Sequence, residues 1–191
     1  KELQQCIAKI ERSNIRLVAF DMDQTAVNMH SRGELRRQDL DDFAKKTTDA
    51  FRLIVPELLR LGYFVAIATH SDEAEFVRKD KDIDPQTHIL GTELATTLVE
   101  KLFPKELSDV IFVVAYNPKW RPDGDNRDNL VKRHHMRVLQ NHYKVEPKEI
   151  LFFDDTPSVV QDCNEHCGVQ AVLVDASRGF QLSDFSKSLE S

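Results

Sequence analysis

The stretch Leu17-Val-Ala-Phe-Asp21-Met-Asp23-Gln-Thr25 governs how the rest of the chain is interpreted. It opens with a short apolar run, typical of a strand that is buried on both faces of a parallel sheet. It then continues into two carboxylates and a hydroxyl. Carboxylates two positions apart on an extended segment point the same way, and their repulsion costs stability unless a cation binds them or one is protonated. The stretch therefore predicts a strand with a site at its carboxyl end, involving a metal ion, a shifted pKa, or both.

Four further apolar runs have the same character and alternate with helical patterns. Strands are predicted over 17–20, 64–69, 110–116, 150–154 and 171–174, and helices over 50–61, 73–78, 93–102, 130–143 and 159–166. Pro56, inside the first of these helices, predicts either a kink or a late helix start. Alternating strands and helices predict right-handed crossovers and an α/β fold: a three-layer, doubly wound, mostly parallel sheet.

Length and composition limit the classes of protein to which this pattern can belong. A chain of 191 residues, of which 41% are hydrophobic, predicts one domain over 1–191. The net charge of −6 argues against a protein that coats nucleic acid through a basic surface. No apolar run reaches the roughly 20 residues that cross a bilayer, and the charged first residues do not resemble a signal peptide. We expect a cytoplasmic protein. The chain opens with Lys1, so the question whether an upstream segment, such as a targeting peptide, was removed stays open.

The three cysteines do not predict a metal centre. Cys163 and Cys167 are four positions apart, which places them on one face of a helix. No second Cys/His pair has zinc-ligand spacing, so reduced cysteines are favoured over a zinc site.

Polar side chains gather where the predicted strands end. The first strand ends in Asp21 and Asp23, the second in Thr69, and the fourth in Asp154 and Asp155. Each alone could be a helix cap. In an open parallel sheet, however, ligands bind beyond the carboxyl ends of the strands, so these groups should share one rim. Several carboxylates at one rim predict Mg²⁺ holding a phosphate.

These motifs resemble those of the haloacid dehalogenase (HAD) superfamily of phosphohydrolases. The apolar strand followed by Asp21-Met-Asp23-Gln-Thr25 matches the first motif, and Thr69 at the end of a strand matches the second. The third is a lysine, for which Lys119 and Lys132 are candidates; Lys132 is preferred because it lies one helix ahead of the fourth motif, Asp154-Asp155. The resemblance spans about residues 15 to 175. Within the superfamily, the chain resembles the small eukaryotic magnesium-dependent phosphatases. The Asp154-to-Ser158 run also looks like the ending found in polymerase-tail phosphatases, with Asp replacing Asn.

The resemblance implies catalytic roles. Asp21 would be the nucleophile that forms an aspartyl-phosphate, and Asp23 would be the general acid and base. Thr69 and Lys132 would bind the phosphoryl group, with Lys132 also orienting Asp21. Thr25 would brace the loop or simply be a turn hydroxyl.

The resemblance also implies a magnesium site. An oxygen of Asp21, the main-chain carbonyl of Asp23 and Asp155 would hold the ion, and Asp154 would pair with Lys132. Which of Asp154 and Asp155 is the direct ligand stays open, as does the identity of the metal in the cell.

Substrate choice should be governed by the absence of a large cap. The roughly 25 residues between Thr25 and the next helix suffice for a flap and a helix. An open cleft suits a bulky substrate, such as a phosphoprotein or a nucleic-acid end, or a small phosphate shielded by loops. His70 and His30 flank the predicted site, with His70 a candidate for phosphate binding. A polar loop after the third strand is either a substrate-recognition rim or a solvated surface; its candidate residues are Lys119, Trp120, Arg121 and Arg127.

Three function classes follow. The first is a Mg²⁺-dependent phosphatase acting on a phosphorylated small molecule or phosphoprotein. The second is another chemistry of the same superfamily; the missing cap disfavours a phosphomutase, and Asp23 disfavours a dehalogenase. The third is a non-catalytic scaffold. Such proteins typically lack the first Asp, the second Asp or the Lys of the motifs, whereas Asp21, Asp23 and Lys132 are all present here. The substrate and the oligomeric state stay open.

Overall fold

The computed structural model describes residues 1–32, 35–69, 84, 86–115 and 129–189, with residues 129–131 described by their backbone alone. The helix predicted over 73–78 and almost all of the polar loop after the third strand lie outside these ranges. Within them, no helix is long and apolar enough to cross a membrane.

A five-stranded sheet forms the centre of the molecule, with strand order β3-β2-β1-β4-β5. All of its strand pairings are parallel, which confirms the predicted α/β fold. The strands are β1 Leu17–Phe20, β2 Phe64–Thr69, β3 Phe112–Ala115, β4 Ile150–Asp154 and β5 Gln170–Leu173.

Three of the five predicted strands have the observed bounds, and two differ. The third begins at Phe112 rather than 110, because the amides of Val110 and Ile111 bond back to a preceding helical turn. The fifth lies one residue earlier than predicted, because Leu151 aligns with Gln170 in the parallel pairing.

The described helices follow the predicted alternation, and the four predicted helices that can be compared agree within two residues at each end. Their bounds are α1 Glu2–Ile10, α2 Leu40–Lys45, α3 Asp49–Arg60, α4 Gly91–Leu102, α5 Lys105–Ser108, α6 Asn129–Tyr143, α7 Pro157–His166 and α8 Leu182–Ser188. Short 3-10 turns occupy Arg37–Asp39 and Pro147–Glu149.

The late start predicted from Pro56 is wrong. Helix α3 begins at Asp49 and continues through the proline. Its start is fixed upstream, where the Thr48 hydroxyl accepts a hydrogen bond from the Phe51 amide at 3.2 Å.

Alternate strand residues face two separate cores. Val18 and Phe20 pack with apolar residues of α1, α3, α4 and α8, whereas Leu17 and Ala19 pack with residues of α6 and α7. Because successive side chains of a strand point to opposite faces, the sheet is covered on both sides, as the three-layer prediction requires.

The segment between β1 and α3 folds back on the end of β1. The Asn28 amide donates to the Lys46 carbonyl at 2.9 Å, and the Thr48 amide donates to the Ala26 carbonyl at 3.0 Å. Among its described residues this segment contributes a single short α-helix, α2. We call the described residues 24–32 and 35–36 the flap.

Gly179 packs closely against Thr25 at the start of the flap and against Thr48. Its φ is +67°, and a Cβ there would lie 2.7 Å from Thr48 Cγ2 and 3.0 Å from the Thr25 carbonyl oxygen. The neighbouring Phe180 amide donates to that same carbonyl at 2.9 Å. A side chain at 179 would therefore strain the backbone and displace the flap.

Gly179→Ala should lower the free energy of unfolding by about 2–4 kcal/mol, combining backbone strain with overpacking. Gly62→Ala is the matched control, since Gly62 has φ +86° but nothing within 4 Å of its added Cβ. It should cost only about 1 kcal/mol. Urea unfolding of both variants measures the difference, and equal losses would show that the contacts at Gly179 do not matter.

Candidate active site

Asp21 and Asp23 lie at the carboxyl end of β1, the central strand. The Asp21 amide donates to the Phe153 carbonyl of β4 at 2.8 Å, which continues the sheet to this residue. The chain then turns sharply: Gln24 has φ 55°, and the Val27 amide returns to the Met22 carbonyl at 2.9 Å. Both residues are nearly buried, with 7% and 9% of their surface exposed. The turn thus holds two acids against the sheet rim rather than in open solvent.

Lys132 of α6 places one ammonium among three main partners. Its Nζ lies 2.5 Å from Asp21 Oδ1, 2.5 Å from the Ala68 carbonyl oxygen and 3.0 Å from Asp154 Oδ2. The contact to Asp154 is an ion pair without hydrogen-bond geometry. The ring of Phe152 lies 5.2 Å from the same nitrogen. One buried cation therefore links the ends of β1, β2 and β4.

This cation does not fully balance the acids around it. Burial lowers the pKa of Lys132, but the charges of Asp154 and Asp21 outweigh burial and raise that pKa overall. Lys132 therefore stays protonated. Burial raises the pKa of Asp21 to about 8 despite the opposing charge of Lys132, and the charge of Asp154 adds to the rise. Because two carboxylates share a single ammonium, the site has room electrostatically for a further cation.

The two carboxylate oxygens of Asp23 have different surroundings. Oδ2 accepts hydrogen bonds from the Ser31 amide at 3.0 Å and the Ser31 hydroxyl at 2.7 Å. His30 Nδ1 also lies 2.9 Å from Oδ2. Oδ1 is buried and has no hydrogen-bond partner among the described residues. The described flap residues thus bind one carboxylate oxygen of Asp23 and not the other.

Several solved structures share this architecture. The D,D-heptose 1,7-bisphosphate phosphatase from B. bronchiseptica, crystallised with magnesium and phosphate, matches with a TM-score of 0.55 and 14% identity over 92% of this chain and 98% of that chain. A putative HAD-like phosphatase from Mesorhizobium loti matches with a TM-score of 0.57 and 13% identity over 92% of this chain and 86% of that chain. No protein-family model and no curated protein matches the sequence.

The chain has the HAD phosphatase fold. A third example is the N-terminal part of a Bacteroides fragilis protein, which contains a phosphatase domain and was crystallised with Mg. It matches with a TM-score of 0.57 and 17% identity over 98% of this chain and 43% of that chain. The resemblance inferred from the sequence motifs is therefore confirmed at the level of fold.

Within this HAD fold, the remaining predicted site residues lie at the same rim or outside the described chain. Thr69 ends β2 and is 1% exposed. Asp155 follows Asp154 and is partly exposed, and burial together with the charge of Asp154 raises its pKa. His70 and Lys119 lie outside the described residues, as do Trp120, Arg121 and Arg127.

Thr25 braces the first-motif loop through its backbone. Its carbonyl accepts the Phe180 amide at 2.9 Å, whereas its buried hydroxyl has no hydrogen-bond partner within the described ranges. The loop is thus tied to the segment after β5.

The donor set at this rim fits magnesium. Among the described residues no three His, Cys, Asp or Glu side chains are grouped to hold an ion by themselves. Mg²⁺ does not require such a cage, because one or two carboxylates, waters and substrate phosphate oxygens complete its shell. The excess of carboxylates over Lys132 and the unpartnered Asp23 Oδ1 suit a hard cation with oxygen ligands.

Ser31 was not predicted from the sequence. It lies eight positions after Asp23, beyond the first motif, and nothing in the local pattern distinguishes it from a turn serine. Its contact depends on how the flap closes, which the sequence periodicity does not specify.

Proposed function

We propose that the chain, as one domain over 1–191, is a Mg²⁺-dependent phosphatase that hydrolyses a phosphomonoester through an aspartyl-phosphate on Asp21. The observation that supports it most is the buried Asp21–Lys132–Asp154 arrangement at the carboxyl end of the central strands. An acid so placed faces the position where HAD-fold phosphatases act, and its lysine can neutralise phosphoryl oxygens.

In the first half-reaction, Asp21 attacks the phosphorus atom in line with the leaving oxygen. The new Oδ–P bond forms as the P–O bond to the substrate breaks. Asp23 donates a proton from Oδ1 to the departing oxygen, so the alcohol leaves neutral. Lys132 stabilises the negative charge of the phosphoryl oxygens, and Thr69 donates a hydrogen bond to one of them.

In the second half-reaction, water hydrolyses the aspartyl-phosphate. Asp23, now ionised, takes a proton from the water as its oxygen attacks phosphorus, and Asp21 is released as a carboxylate. The same residue therefore acts as acid and then as base, and inorganic phosphate departs.

Magnesium would be held by Asp21, the Asp23 main-chain carbonyl and Asp155, with Asp154 retained by Lys132. When bound, the ion supplies positive charge that offsets the phosphoryl and carboxylate oxygens. This assignment agrees with the half-buried position of Asp155 and the direct contact of Asp154 with Lys132.

The substrate is proposed to be a phosphoprotein or another bulky phosphomonoester. The described part of the insertion after β1 supplies one short α-helix, which is too small to form a separate cap and so favours a bulky substrate. A cytoplasmic location suits such a substrate.

Hydrolysis of p-nitrophenyl phosphate tests the metal requirement. Chelation by EDTA should reduce turnover at least about a hundredfold, because the phosphoryl charge loses its main counter-charge. Excess Mg²⁺ should restore turnover, and it should also raise the melting temperature of the chelated protein. Turnover that survives complete chelation would contradict the proposal.

Asp175→Asn is the control for removing a carboxylate that lies away from the proposed metal site. Asp175 is exposed, and among the described residues its carboxylate bonds to Ser177 and Arg178 of its own turn. We expect this variant to keep the wild-type dependence on Mg²⁺.

A further inference from the structure

The flap brings Ser31 to Asp23, and described residues on either side of Ser31 are hydrogen-bonded. One end is tied back by the Gln24 amide, which donates to the Met29 carbonyl at 3.2 Å. The other end is tied by the Ile89 amide, which donates to the Leu35 carbonyl at 3.0 Å. The first of these bonds lies directly before Ser31 in the chain and supports its position beside Asp23.

Ser31 holds Asp23 more definitely than His30 does. Both the amide and the hydroxyl of Ser31 donate to Oδ2, at 3.0 and 2.7 Å. His30 Nδ1 lies 2.9 Å from Oδ2 but also accepts from the Arg32 amide at 3.0 Å. One ring nitrogen cannot donate to Asp23 and accept from Arg32 at once. The two Ser31 bonds do not depend on the state of the imidazole.

We propose that Ser31 is a positioning residue for proton transfer: by holding Asp23 Oδ2, it directs Oδ1 toward the leaving oxygen of the substrate. The inference rests on the proposed phosphatase function and specifies how its acid is oriented. Donors at Oδ2 favour electron density on that oxygen, so the transferable proton resides on Oδ1, which has no competing partner among the described residues.

This role has a signature in the choice of leaving group. As the P–O bond breaks, an alkoxide must receive the Asp23 proton, whereas 2,4-dinitrophenolate is stable enough to leave with its negative charge. A residue that orients the proton donor therefore matters more for alkyl phosphates than for dinitrophenyl phosphate. A residue needed only for folding affects both substrates alike.

The test compares kcat/KM of wild type and Ser31→Ala on phenethyl phosphate and on 2,4-dinitrophenyl phosphate, with saturating Mg²⁺. The ratio kcat/KM reports steps up to formation of the aspartyl-phosphate, where Asp23 acts as an acid. We expect a loss of roughly tenfold on the alkyl substrate, the value of one hydrogen bond to a charged group, and a loss at least about five times smaller on the aryl substrate. Ser31→Thr, which keeps the hydroxyl, should recover most of the alkyl activity.

A double-mutant cycle tests whether Ser31 acts through Asp23. In an Asp23→Asn background, Ser31→Ala should cause no further selective loss on the alkyl substrate. Ser177→Ala is the matched control, because Ser177 bonds Asp175 through its amide and hydroxyl at 2.9 and 2.7 Å in the same way but on an exposed turn.

Equal losses on the two substrates, or no loss on either, would overturn the role of Ser31 while leaving the phosphatase proposal intact. A wild-type protein that hydrolyses neither substrate would instead overturn the proposed function, and the inference with it.

Discussion

Asp21→Asn should reduce kcat/KM on aryl phosphates by at least about 10⁴-fold, because the amide cannot form the covalent phosphoryl intermediate. Asparagine nearly preserves the shape of the side chain, and its amide oxygen can still accept from Lys132 Nζ, now 2.5 Å from Asp21 Oδ1. The substitution therefore removes the nucleophile without removing the contact. Steady-state hydrolysis of p-nitrophenyl phosphate measures the loss.

The stability of Asp21→Asn separates chemistry from folding. Burial already raises the pKa of Asp21 to about 8, so the folded protein disfavours its charged form. A neutral amide carries no charge to bury and does not repel Asp154. The melting temperature of Asp21→Asn should therefore not fall below that of the wild type. Activity within tenfold of wild type, in a variant whose mass excludes reversion to aspartate, would refute the nucleophile assignment.

Trapping of the aspartyl-phosphate intermediate complements the rate measurement. Wild type quenched in acid during turnover should carry an additional phosphoryl group on the peptide that contains Asp21, and Asp21→Asn should not. Ser177→Ala, treated identically, should carry the wild-type amount because it leaves the rim unchanged.

The sheet was predictable because its strands are buried on both faces. Runs such as Leu17–Phe20 and Ile150–Asp154 are continuously apolar, and their bounds agree with the prediction. The two-core arrangement follows from the same property, since alternate residues of each strand need apolar cover on opposite sides. The adjacency of β1 and β4 in the sheet then brings Asp21 and Asp154 to neighbouring positions.

Details that depend on long-range closure were not predictable. The start of α3 is determined by the Thr48 cap rather than by Pro56, and the sequence contains both signals without ranking them. Ser31 meets Asp23 across eight positions of the chain, in a segment that turns back where the Gln24 amide donates to the Met29 carbonyl. Local periodicity does not encode this contact, whereas the contacts of Lys132 with Asp21 and Asp154 were expected from the family resemblance.

Lys132→Met should destabilise the protein by about 3–5 kcal/mol, because it leaves buried carboxylates without their counter-charge. Lys132 is 3% exposed, and its partners Asp21 and Asp154 are also buried, at 7% and 1% exposure. Between about pH 4 and 8 both folded proteins retain the Asp21 proton that the unfolded chain, with a pKa near 3.8, releases, so both lose stability in parallel. The loss caused by the substitution should grow as pH rises above about 8, because Lys132 allows Asp21 to ionise in the wild type and its removal raises the pKa of Asp21 further. Urea unfolding at several pH values, with chelator present, measures this.

Combining Lys132→Met with Asp154→Asn distinguishes electrostatic from steric causes. Removing one acid together with the lysine lowers the unpaired buried charge, so the double variant should recover at least about half of the lost stability. It should not recover phosphatase activity, because the positive charge beside the phosphoryl oxygens is still missing. Lys132→Arg is the charge-preserving control: its planar guanidinium should retain more stability than Met but cannot reproduce three contacts from one nitrogen. A double variant as unstable as Lys132→Met would mean that packing around Phe152, rather than charge, accounts for the effect.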